Sequence, residues 1–203
     1  MKISYAIPVC NEHIELEKLL DFLENHIQVE DEVVVQCDKG NTTDKVYKVL
    51  QHPRFNVIHF PLNGHFSNFK NNLKEHCTGD WIFQIDADEL PHESLITNLK
   101  ELLKLNTTTE MLLVPRVNTV EGLTPEHINK WRWNVNEKGW VNWPDYQTRI
   151  IQNSPKIKWQ NKVHEQIIGF STRGVLPTEE EWCLYHPKNI KKQEYQNNFY
   201  DTL

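Results

Sequence analysis

The chain has 203 residues, 25% of them charged, and a formal net charge of −6. That length suits one domain able to bury roughly 70% of the surface its unfolded form exposes, so it needs no disulfide or metal staple. The acidic balance, without any Lys/Arg block, argues against nucleic acid or an anionic membrane as a partner. No apolar run reaches the ~18 residues of a transmembrane segment, and Met1 leads into a short strand rather than a signal peptide. Cys10, Cys37, Cys77 and Cys183 are too dispersed for a zinc or disulfide framework. They read as thiols of a cytoplasmic protein, mostly buried.

The first half repeats a strand, turn, helix rhythm. Ile3 to Val9 is a strand ending at Cys10-Asn11-Glu12, and Leu16, Leu19, Leu20 and Leu23 then mark one face of a helix. Glu32 to Gln36 is a second strand, with Asp38-Lys39-Gly40-Asn41 as its turn and Thr42 or Thr43 as cap of a helix through Val46, Val49 and Leu50. Asn56 to Phe60 is a third strand. Ser67 is a candidate cap for a helix through Phe69, Leu73 and Cys77, which Gly79 stops. Trp81 to Ile85 is the fourth strand, Leu95 to Leu103 another helix, and Glu110 to Val114 another strand. Strands separated by helices predict an α/β fold with a mostly parallel sheet covered on both faces.

The fourth strand runs straight into Asp86-Ala87-Asp88-Glu89. Open α/β sheets bind ligands beyond the carboxyl ends of their strands. Hard cations such as Mg²⁺ take oxygen ligands and share them with substrate phosphates, so an acid pair there suits a divalent metal and a phosphorylated substrate. A solvated turn is the alternative.

Beyond Asn118 the texture changes. Trp131, Trp133, Trp140 and Trp143 crowd together with few aliphatic residues, which predicts a long ordered loop facing substrate, or else a satellite aromatic core. Short extended runs follow at Gln147 to Gln152, Ile157 to Gln160, Val163 to Ile168 and Trp182 to Tyr185. They read as antiparallel additions to the sheet, and a polar helix from about Ile190 closes the chain.

The order Ile7-Pro8-Val9-Cys10-Asn11-Glu12, Val33-Val34-Val35 with Asp38 and Thr43-Asp44, Lys70-Asn71, Thr78-Gly79-Asp80 and Asp86-Ala87-Asp88-Glu89 resembles the family 2 glycosyltransferases of GT-A (Rossmann-like) fold. This likeness covers roughly residues 1 to 115. Trp143 to Arg149, Val163-His164-Glu165 and His186 look like the subset that includes lipopolysaccharide-core β-glycosyltransferases. The resemblance implies a single domain over 1–203, with a nucleotide-sugar-binding half at 1–115 and an acceptor-binding half at 116–203. The implied activity is inverting transfer of a hexose from a nucleotide sugar, UDP-linked by expectation, to a hydroxyl of a carbohydrate or glycolipid acceptor, with Mn²⁺ or Mg²⁺ as cofactor.

Residue by residue, the resemblance makes Asp88 the direct metal ligand and gives Asp86 the ribose or a metal-bound water. Asp38 corresponds to the carboxylate that accepts the uracil N3–H, unless it only forms an Asx turn. Pro8, Asn11 and Glu12 would line the nucleotide cleft. Lys70 and Asn71 are candidate donor-binding residues, the lysine standing where the family usually has arginine. Glu89 either orients acceptor or sugar, or favours the dipole of the next helix. An inverting transfer needs a general base for the acceptor hydroxyl, and Asp145 is the candidate, its pKa expected to rise beside indole faces. Trp140 and Trp143 could stack on sugar rings, and Arg149 could meet the leaving diphosphate. His164 is preferred over His186 as an imidazole completing the metal site, with Glu165 as an acceptor-side or orienting alternative. Two rival classes are a nucleotidyltransferase, which would want a glycine-rich loop after the first strand, and a non-catalytic carbohydrate-binding module, which would not need the converging acids.

Overall fold

Alternation of side chains along Ile3–Val9 (β1), Glu32–Asp38 (β2), Phe55–Phe60 (β3) and Trp81–Gln84 (β4) builds a sheet buried on both faces. A computed structural model describes residues 1–51 and 54–200. In it β1 lies parallel to both β2 and β4, and β2 parallel to β3. Tyr5, Ile7, Val33, Val35 and Phe83 face one side, where they meet the buried leucines of His13–His26 (α1) and Glu93–Leu105 (α4). Ala6, Val34 and Ile82 face the other side and pack with Leu73 of Phe66–Glu75 (α3) and with Trp159 and Ile167. The short helix Asp44–Val49 (α2) anchors through Val46. Two apolar faces explain why these strands carry nearly unbroken hydrophobic runs.

The second half extends this sheet. It comprises Leu90–Pro91 (β5), Met111–Glu121 (β6), Pro125–Trp131 (α5), Val141–Gln152 (β7), Lys158–Gln160 (β8), Gln166–Ile168 (β9), Arg173–Val175 (β10), Leu184–Asn189 (β11) and Ile190–Tyr200 (α6). The strand order is β3-β2-β1-β4-β7-β6-β11-β5, with β10 paired to β6 and β8-β9 forming a separate hairpin. β7 runs antiparallel between β4 and β6. The expected α/β class, mostly parallel with antiparallel additions, is the observed one.

Several boundaries differ from the sequence expectation. The aromatic stretch is not one long loop: Trp131 ends α5, an isolated bridge joins Val135 to Val141, and Trp143 lies inside β7. Strands β6 and β7 are 11 and 12 residues long, because Pro115, Arg116, Pro144 and Asp145 interrupt the apolar alternation without ending the pairing. β10 and β11 pair parallel to β6, not antiparallel. The Val163 to Ile168 run shrinks to β9, since His164 takes φ 51° and cannot continue a strand. Helix α3 is capped by His65 rather than Ser67, its imidazole accepting from the Asn68 amide.

Phe83 is fully buried at the centre of β4. Phe83→Ala should therefore lower unfolding free energy by about 3–5 kcal/mol through lost burial and a residual cavity, as read by chemical denaturation.

Candidate active site

Because β1, β2 and β4 are parallel, their carboxyl ends open on one edge, and the acids that follow them meet there. A cleft of about 710 Å³ is lined by Pro8, Glu12, Asp38, Asp86 and Asp88 from these strand ends, and by Arg116, Asn118, Asp145, Gln147, Arg149, His186 and Lys188 from the added strands. That volume lies in the range of small-molecule sites.

A buried ionic chain underlies the cleft. Arg149, 4% exposed on β7, donates to Asp86 Oδ2 and Glu89 Oε1, both at 2.6 Å. Glu89 also accepts from Arg116 Nη1 at 3.0 Å, and its carboxylate receives no solvent. Arg116 in turn grips Asp145 Oδ2 through Nε at 2.9 Å and Nη2 at 2.7 Å. Cross-strand pairing sets this up, since Arg116 and Asp145 are directly opposed in register.

A second, polar route returns from Asp145 to Asp88. Asn118 Nδ2 donates to Asp145 Oδ2 at 2.8 Å, so Asn118 Oδ1 is an acceptor and faces His186 Nδ1 at 2.7 Å. That bond makes Nδ1 the donor and turns Nε2 of His186 toward Asp88 Oδ2, 3.4 Å away. His186 and Asn118 are also opposed in register, on β11 and β6. Gln147 donates to the other Asp145 oxygen, Oδ1, at 2.7 Å. Since Oδ2 takes three hydrogen bonds and Oδ1 one, the accepting capacity left on Asp145 is on Oδ1.

These contacts set the charge states. Burial opposes ionisation of Asp88, but His186, Lys192 and Lys188 outweigh it and hold its carboxyl below the ordinary range. For Asp86, burial is overcome by Arg149, then Lys70 and Arg116. For Asp145, burial is overcome by Arg116, Asn118 and Gln147, so its carboxyl is also depressed. The sequence expectation of a raised Asp145 pKa is thus corrected: a guanidinium, not an indole, is its neighbour. Burial, then Glu12 and Asp38, push the Cys10 thiol up to about 11, leaving it protonated and unreactive at neutral pH.

Other expected residues fall variously. Pro8, Glu12 and Asp38 line the cleft; Glu12 accepts from the amides of Cys10 and Asn11, and Asp38 from Leu62 N and Asn41 Nδ2, so both also fix their turns. Asn11 is exposed and not among the lining residues. Asn71 turns away, clamping the Trp159 backbone through two hydrogen bonds of 2.8 and 2.9 Å. Lys70 lines the cleft but is ion-paired with Glu165 and lies 4.5 Å over the Trp159 ring. Glu89 does not point outward: it is buried as the hub of the ionic chain, which removes it as an acceptor contact. Trp140 and Trp143 pack edge to face on each other, centroids 4.7 Å apart, and are not among the lining residues, whereas Trp133 is. His164 also lines the cleft, on an irregular segment, whereas His186 is the histidine beside Asp88.

A family model described as glycosyl transferase family 2 matches residues 4–170. The chain belongs to that family. Among solved structures it resembles S. aureus TarS 1-349, with TM-score 0.66 and 15% identity over 92% of this chain and 60% of that one. The same TarS fragment in complex with UDP-GlcNAc overlaps with TM-score 0.65 and 17% identity over 93% and 59%, and its UDP complex with 0.66 and 16% over 92% and 60%. At such identity the likeness establishes a shared fold, and the chain spans 60% of that fragment. No curated protein matches the chain.

For a family 2 chain a divalent metal is the implied cofactor, and the donor chemistry fits it. Asp88 offers a carboxylate oxygen and His186 the imidazole nitrogen Nε2, which the Asn118 contact turns toward it. The Lys192 ammonium, 3.2 Å from Asp88 Oδ2, marks the spot as one that attracts cations. Among the described residues no cluster of three or more His, Cys, Asp or Glu could hold a metal alone, so a metal here would complete its shell with substrate phosphates and water, as Mg²⁺ habitually does.

Sequence reasoning missed Arg116, Asn118, Lys188 and Lys192. The signal was alternation: Arg116 and Asn118 are two apart, as are Asp145, Gln147 and Arg149, and His186 and Lys188. Each set is one face of one strand.

Arg149→Met would leave fully buried Glu89 short of a partner and should cost about 3–5 kcal/mol at pH 7. In the wild type, depressed carboxylates stabilise fully above their unfolded pKa of about 3.9, and that contribution is lost as pH falls through the lower folded values. In the variant, burial dominates at Asp86, which takes up a proton at higher pH. The deficit should therefore shrink between pH 7 and 5 in denaturation curves; a deficit constant across that range would contradict the assignment.

Proposed function

We propose that this chain is a metal-dependent, inverting glycosyltransferase that moves a hexose from a nucleotide sugar, UDP-linked, to a hydroxyl of a carbohydrate or glycolipid acceptor. Membership in glycosyl transferase family 2 supports the reaction class. The observation that carries the reading is the joining, in one cleft, of Asp86 to Asp145 through Arg149, Glu89 and Arg116 and of Asp88 to Asp145 through His186 and Asn118. TarS, whose structure with UDP-GlcNAc shares this fold, supports the uridine donor. The resemblance of the later motifs favours polysaccharide or lipopolysaccharide synthesis in the cytoplasm as the setting. A carbohydrate-binding module is disfavoured because Trp140 and Trp143 pack edge to face on each other and do not line the cleft, whereas the acids converge in it.

Asp88 and His186 would hold Mn²⁺ or Mg²⁺, which supplies neutralisation of the charge developing on the departing diphosphate. Asp38 would receive the base and Pro8 and Glu12 would border it. Asp86, fixed by Arg149, would face ribose or water on the metal. Asp145 Oδ1 would accept the proton of the acceptor hydroxyl during in-line attack. Its depressed pKa keeps it ionised at neutral pH, so it is always ready, and proton transfer to so weak a base must accompany bond formation.

Two measurements test this. In thermal melts, UDP or a UDP-sugar at 100 times its Kd should add about 2.7 kcal/mol of apparent stability, with Mn²⁺ or Mg²⁺ required and the effect abolished in Asp88→Asn. Absence of any nucleotide-dependent shift would remove the donor site. In transfer assays Asp145→Asn should lower kcat by about 10²–10⁴-fold while leaving the UDP-induced melting shift intact; near-normal turnover would assign the base elsewhere.

A further inference from the structure

Of the four lysine and arginine side chains lining the cleft, three are already committed to carboxylates. Arg149 is held by Asp86 and Glu89, Arg116 by Glu89 and Asp145, and Lys70 by Glu165. Their charge is consumed inside the protein. The fourth, Lys188, forms no ion pair among the described residues, and its ammonium donates to the neutral amide oxygen of Gln196 on α6. It stands two positions after His186 on β11, hence on the same face of the strand, and it borders both the cleft and the adjoining groove. Both Lys188 and Gln196 lie beyond residues 4–170, the part matched by the family model.

The Lys188 ammonium is hydrogen-bonded to an amide and meets Asp88 and Glu89 only at longer range, so a partly buried charge facing the cavity still has room for a direct anionic partner. We infer that Lys188 is the cationic seat for the diphosphate of the nucleotide-sugar donor, binding its phosphate oxygens on the side of the acid pair that His186 occupies. The inference rests on the proposed donor site and deepens it. It also gives β11 and α6 a role: Gln196 holds the ammonium aimed at the cleft until the anion takes over.

The test compares UDP with uridine, which lacks phosphate, by calorimetric titration at one fixed Mn²⁺ concentration. Wild type, Lys188→Met, Lys188→Gln and Lys188→Arg are compared, each checked for a wild-type-like melt. The expected result is a loss of about tenfold in UDP affinity in the two neutral variants, unchanged uridine affinity, and substantial recovery in Lys188→Arg. Unchanged UDP affinity in the neutral variants, or an equal loss for uridine and UDP, would overturn this inference while leaving the donor site standing. Failure of the wild type to bind UDP at all would instead strike the donor reading and take this inference with it.

Discussion

Everything in the cleft hangs on one buried carboxylate. Glu89 is fully enclosed beneath the acid pair, and burial of a lone charge is prohibitive unless it is paired and hydrogen-bonded. Two guanidiniums satisfy it, Arg149 from β7 and Arg116 from β6. Each has donors to spare, and each spends them on a carboxylate at the surface of the cleft: Arg149 on Asp86, Arg116 on Asp145. A charge too costly to leave alone thus ties the end of the parallel half of the sheet to the antiparallel strands beside it. Asp86 and the candidate base Asp145 are held in one frame because they share a counter-ion system.

The arrangement explains why β7 lies antiparallel between β4 and β6. It brings Asp145, Gln147 and Arg149, which alternate along one strand, across from Arg116 and next to the loop that follows β4. β11 beside β6 then sets His186 opposite Asn118. Three adjacent strands each contribute a row of polar side chains to a single face, and cross-strand neighbours become hydrogen-bond partners. Asn118 links the rows, since its amide touches both Asp145 and His186. The same bond fixes which imidazole nitrogen faces Asp88, the kind of outer-shell control that gives a metal ligand its direction.

The parallel half was legible because its physics is simple. Val33, Val34 and Val35 are buried on both faces of a sheet, Leu16, Leu19, Leu20 and Leu23 lie on one side of a helix, and Asp86 and Asp88 follow a strand whose end must open on the ligand-binding edge. The later half was harder for a physical reason. On β6, β7 and β11 the inward positions of the site are polar, so Arg116, Asn118, Asp145 and His186 look like solvent-exposed residues, and prolines at 115 and 144 mimic strand ends. The tryptophans misled in the opposite direction: large aromatic residues announce packing, and Trp140 and Trp143 satisfy each other. Asp145 and His186 were both identifiable as chemistry-bearing residues, but the guanidinium that lowers one pKa and the amide that orients the other come from a strand distant in sequence, which no local pattern reveals.

Asp88 and His186 are proposed to form one metal locus completed by a nucleotide diphosphate. Pulsed EPR of Mn²⁺ bound to the protein in the presence of UDP tests it most directly. The expected spectrum shows ¹⁴N modulation from one imidazole together with ³¹P hyperfine coupling from the diphosphate, the nitrogen signal vanishing in His186→Gln. A Mn²⁺ spectrum with phosphorus coupling but no protein nitrogen, or a nitrogen signal that survives His186→Gln, would contradict it.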